Sequence, residues 1–139
     1  MNYEIESGQI AWQPYLDIRD MFDHFIRLLR EDISQEERIS QISAMEGHIK
    51  RAIIDPLQLL SEEKLYRALK NLDMKRRFLS FLRRMPEPKE QWQEKISKVK
   101  SLIVEGRQLK SSHLWDDNFN IACAKFREAL ELVNELDPG

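Results

Sequence analysis

Residues 41–60 read QISAMEGHIKRAIIDPLQLL. Ile42, Met45, Ile49, Ile53, Leu57 and Leu60 recur every three or four positions, which is the spacing of one face of an α-helix. No convincing run of strand-like alternation competes with it anywhere in the chain. Only four Gly and five Pro punctuate 139 residues, and the stretches between them carry apolar residues at the same spacing. These patterns predict an all-α fold, an antiparallel four- or five-helix bundle with short connections.

The first predicted helix starts near Pro14, follows Tyr15, Ile18, Phe22, Phe25, Ile26 and Leu29, and fades at Glu31-Asp32. Residues 1–12 precede it as a lead-in, with Trp12 as an anchor. Ser34 followed by Glu37 reads as a capping box and opens a second helix that runs to about Leu60. Pro56 lies inside that pattern and is expected to kink or end it. Ser61-Glu62-Glu63 looks like another start, with acids placed in a first turn. The stripe beyond it shifts from Leu65, Leu69 and Leu72 to Met74, Phe78, Phe81 and Met85, so that helix either breaks near Asp73 or packs on two sides. Met85-Pro86-Glu87-Pro88 is the clearest breaker. Two further helices follow, one along Trp92, Ile96, Val99 and Ile103 with Gly106 weakening its end, the other from Asp116 along Phe119, Cys123, Phe126, Leu130 and Val133. With no long linker, the whole of residues 1–139 reads as one domain. Phe22, Phe25, Ile49, Ile53, Leu69, Ile96, Phe126 and Leu130 are expected to share its core.

Hydrophobic residues make up 42% of the chain and charged residues 33%, which describes a folded, soluble protein. No apolar run approaches the roughly 20 residues of a membrane span, and the N-terminus lacks the pattern of a signal peptide. A cytoplasmic location is expected. The single cysteine, Cys123, excludes an intramolecular disulfide and sits among core-type residues.

The formal net charge of -2 conceals a segregation. Residues 1–37 hold nine acids and three bases, residues 116–139 six acids and two bases, and residues 64–84 eight bases and one acid. The basic segment either pairs with the acidic helices or docks an acidic partner. On the second reading Arg76, Arg77, Arg83 and Arg84 are the partner-binding residues, and the partner is a protein or a nucleic acid whose phosphates they neutralise. His24, His48 and His113, with one cysteine and no HExxH spacing, make no zinc site, and no Gly-rich phosphate loop is present. No metal and no cofactor are expected.

Arg107 is followed after five residues by His113, between the last two predicted helices. This pair resembles the Rx4-6H motif of HEPN domains, and Gly47-His48-Ile49-Lys50-Arg51-Ala52 resembles the His-Leu-x-Arg-Ala sequences of some helical bundles of that broad group. The resemblance implies either a metal-independent ribonuclease or a noncatalytic binding module, often in defence or toxin systems. In the nuclease case His113 would move the proton of a ribose 2′-hydroxyl or of the leaving oxygen. Arg107 would stabilise the phosphate charge. Because such sites commonly form between two subunits, a homodimer would be implied. Gln108 departs from the Asn or Asp that often follows the motif arginine. The residues themselves favour a noncatalytic helical-bundle interaction module that binds a partner protein. The RNA-binding or RNA-cleaving HEPN-like domain is the alternative.

Overall fold

The computed structural model describes residues 12–81, 89–112 and 115–136, and the side chains of 75–81, 89 and 90 lie outside that description. The fold is all-α. Among the described residues there are four helices and no strand: α1 (Trp12–Leu28), α2 (Gln35–Phe81), α3 (Lys89–Ser111) and α4 (Trp115–Leu136). No helix of the described residues is long and apolar enough to cross a membrane. The predicted connector Met85-Pro86-Glu87-Pro88 lies outside the described residues.

The chain forms two compact units that divide after Pro56. The first contains α1 and the N-terminal part of α2. Its turn is built as the sequence predicts. The Glu37 amide donates to Ser34 Oγ at 3.1 Å, satisfying one of the free donors at the start of α2. The Arg38 guanidinium reaches back to the carbonyls of Leu28 and Arg30 and caps the end of α1. Contacts then pair rising numbers on one helix with falling numbers on the other: His24 with Gln41, and Asp17 with His48 and Arg51. The two helices are therefore antiparallel.

The second unit holds the rest of α2 with α3 and α4. Lys95–Glu135, Lys98–Glu128 and Lys125–Glu105 set α3 and α4 antiparallel, while Arg107 and Lys110 reach Glu62 and Gln58 of α2. The core consists of Ala68 from α2, Val99, Leu102 and Ile103 from α3, and Ala122, Cys123, Phe126, Ala129, Val133 and Leu136 from α4. Burial pushes the Cys123 thiol above its usual pKa, as expected for a small apolar filler.

The predicted boundary at Ser61 dissolves, and of the two alternatives at Asp73 the unbroken helix holds. α2 runs unbroken through Pro56, Ser61 and Asp73. Ser61 caps nothing: it is fully buried in mid-helix, and its Oγ donates to the Gln58 carbonyl at 2.7 Å. Glu62 and Glu63 face cations, Arg107 and Arg67, rather than a helix start.

The expected shared core also needs correction. Phe126 is fully buried, and Leu69, Ile96 and Leu130 are half-buried, but Phe22, Phe25, Ile49 and Ile53 are 43–54% exposed. The reason is a rotation. α1 meets α2 through Pro14, Asp17, Met21, His24 and Leu28, one residue before the apolar stripe. One residue turns a helix by about 100°.

Gly106, expected to weaken the end of α3, is buried there, and a Cβ on it would fall 2.7 Å from Cζ of Phe126. Glycine lets the phenyl ring lie against the helix backbone. Gly106→Ala is expected to destabilise the protein by about 1–3 kcal/mol through overpacking, even though alanine favours a helix interior by about 1 kcal/mol. Urea unfolding reads this directly, and an unchanged or raised midpoint would show that the ring yields freely.

Candidate functional site

Two features of the first unit stand out, a buried polar cluster and an exposed apolar face. Asp17 is only 3% exposed. Its Oδ1 lies 2.9 Å from His48 Nδ1 and accepts from Arg51 Nε at 3.1 Å. Arg51 Nη2 lies 2.9 Å from the same His48 nitrogen, so Nδ1 donates to Asp17 in one tautomer and accepts from Arg51 in the other. His24 stacks on His48 with ring centroids 5.3 Å apart, and its own Nδ1 donates to Gln41 Oε1 at 2.6 Å.

Burial by itself would raise the Asp17 pKa. The bonds from His48 and Arg51 and the Arg51 charge outweigh it, with a smaller contribution from Gln13, and hold the carboxyl below its usual value of 3.8. An imidazole oriented by a buried carboxylate is the arrangement used for proton transfer. Here the ring is stacked by His24 and the side chain is only 16% exposed. The cluster's evident effect is to set the register of α1 on α2. Among the described residues no group of three or more His, Cys, Asp or Glu side chains is placed to hold a metal ion.

The apolar face follows from that register. In an antiparallel pair, advancing one residue from the contact face turns both helices toward the same side. On α1 this step reaches Tyr15, Ile18, Phe22 and Phe25, with Leu29 in the turn just past its end, and on α2 it reaches Ile39, Ile42, Ile49 and Ile53. Both sets have the three-four alternation of a heptad repeat. All nine side chains are exposed, between 43% and 67%. The heptad position between Ile42 and Ile49 is Glu46, whose carboxylate pairs with Lys50 at 2.6 Å.

Of the residues singled out by sequence, Arg107 is described with its side chain. Arg107 donates through Nε and Nη2 to Glu62 Oε1, at 2.8 and 2.7 Å, in a network with Gln58 and Lys110 that binds α3 to α2. His113, Arg83, Arg84 and the side chains of Arg76 and Arg77 lie outside the described residues. At the start of the basic segment Lys64 donates to Asn134 and Arg67 pairs with Glu63 of its own helix. The α4 acids Glu128 and Glu135 pair with α3 lysines. Asp17 had no signal of its own in the sequence, whereas His48 and Arg51 stood out only through the resemblance noted above. No protein-family model, curated protein or solved structure matches this chain.

The cluster gives a pH prediction. The Asp17 pKa is lower folded than unfolded, so its ionised form stabilises the hairpin. That contribution is complete above the ordinary carboxylate range and disappears as pH falls below about 3.8 through the folded value. Asp17→Asn should therefore flatten the dependence of the unfolding midpoint on pH in that window. Asp17→Ala, which leaves buried donors unsatisfied, should cost about 1–3 kcal/mol at pH 7. A wild-type acid profile retained by Asp17→Asn would remove Asp17 from this role.

Proposed function

We propose that this chain is a noncatalytic, cytoplasmic helical interaction module that binds a protein partner through the apolar face of the α1–α2 hairpin. The observation that carries the reading is the exposure of nine large apolar side chains in two heptad-phased stripes on one side of two helices. Monomeric proteins rarely expose a contiguous apolar patch beyond a few hundred Å² unless it binds something. Four cations of the second unit, Lys95, Lys98, Arg107 and Lys125, are engaged by glutamates of the chain itself, which leaves them less available to a phosphate backbone.

The test is affinity capture by the full chain from its native source after nuclease treatment, with wild type beside a Phe25→Glu/Ile39→Glu variant. The expected result is one defined protein, which is the chain itself or another, retained by wild type and lost by the variant. Capture that is equal for both would sink the reading. Recovery that depends on intact RNA would replace it with the nucleic-acid alternative, as would labelled RNA bound with a steep loss of affinity as salt rises.

A further inference from the structure

We infer that the occupant of this apolar face is a second copy of the same chain, two hairpins closing face to face into a four-helix bundle. This inference rests on the reading of the face as a protein-binding surface.

Three observations lead to it. The first is shape. Each helix of the hairpin contributes one stripe in the same heptad phase, so the face has the form of half a four-helix bundle core. A left-handed bundle of nearly antiparallel helices needs this spacing on every helix. An isologous two-fold contact then brings matching stripes together with no other sequence required.

The second is area. The three aromatic side chains, Tyr15, Phe22 and Phe25, present on the order of 150–250 Å² each, and the six aliphatic ones less. With all nine roughly half exposed, the face offers on the order of 800 Å² per copy, the amount that each partner contributes to a standard stable interface.

The third is the rim. A face edged by one sign of charge would repel its own copy. Here the rim carries both signs, including the ion pairs of Arg19 with Asp20 and Arg30 with Asp32. Glu46 interrupts the apolar stripe near its middle. One polar residue at such a position restricts register and oligomer number at some cost in affinity.

Sedimentation equilibrium of the full chain over about 1–100 μM, concentrations that resolve micromolar association, tests the inference. The wild type should show twice the chain mass at the upper end and dissociate on dilution. Phe22→Glu/Ile42→Glu should be monomeric with its helical circular dichroism retained. Val104→Glu and Ile121→Glu, at exposed apolar positions of the second unit, should remain dimeric. Hydrogen exchange of the wild type needs no variant to fold: on dilution, α1 and the first part of α2 should lose protection while α3 and α4 keep theirs. A wild type that is monomeric throughout overturns the second copy as occupant. So does a dimer indifferent to Phe22→Glu/Ile42→Glu, or one whose dilution-sensitive amides lie in α3 and α4. In each case the broader reading stands if nuclease-resistant capture of a different protein is lost in the Phe25→Glu/Ile39→Glu variant, and falls with the inference if it is not.

Discussion

The contact of Asp17 with His48 and Arg51 decides which way the first unit faces. A helix with a strong apolar stripe would be expected to turn it toward its neighbour. α1 instead turns a mixed stripe inward, in which Met21 and Leu28 alternate with Asp17 and His24. A buried carboxylate needs donors, and this rotation places both the imidazole and the guanidinium beside it. The apolar stripe is consequently left outside. Polar specificity inside the hairpin and apolar exposure on its surface are thus one arrangement seen from two sides.

The second unit is held together differently. Its interior is apolar apart from Ser61 and tight, with alanines at 68, 122 and 129 and Gly106 allowing the helices to come close. Ion pairs run along its outside, each joining half-exposed groups and contributing little energy by itself. Their value is in alignment, since charges of opposite sign at matched heights favour one register of α3 on α4. Arg107 takes part in the same kind of alignment through Glu62.

Much of this fold was legible in the sequence because helices announce themselves by period. The class, the Ser34 cap, the Asp116-Asp117 start of α4 and the burial of Phe126 all follow from spacing and end chemistry. What was not legible depends on context. Pro56 costs one hydrogen bond and a local clash, yet the helix of 47 residues continues past it. Ser61 looks like a cap only when its burial is unknown. Periodicity revealed a stripe at Phe22, Phe25, Ile49 and Ile53 correctly but could not say what the stripe faces, because an interface inside the chain and one between chains leave the same pattern. The surface proposed for binding was therefore visible as a pattern and misplaced as a core. Asp17 was invisible as a site residue, since a lone acid on a helix is ordinarily solvated.

The close approach of Gly106 to Phe126 has a consequence for how this sequence can change over generations. Neither position can drift alone. A side chain at 106 has no room while the phenyl ring is present, and a smaller residue at 126 leaves a void while 106 is bare. The pair must move together, alanine or serine at 106 arriving with leucine or a smaller residue at 126. Each single step is a loss that the other repairs, the strong non-additivity expected of residues sharing one space. Among distant descendants of this chain the two positions should co-vary in size, which makes them a marker of common ancestry more durable than overall identity.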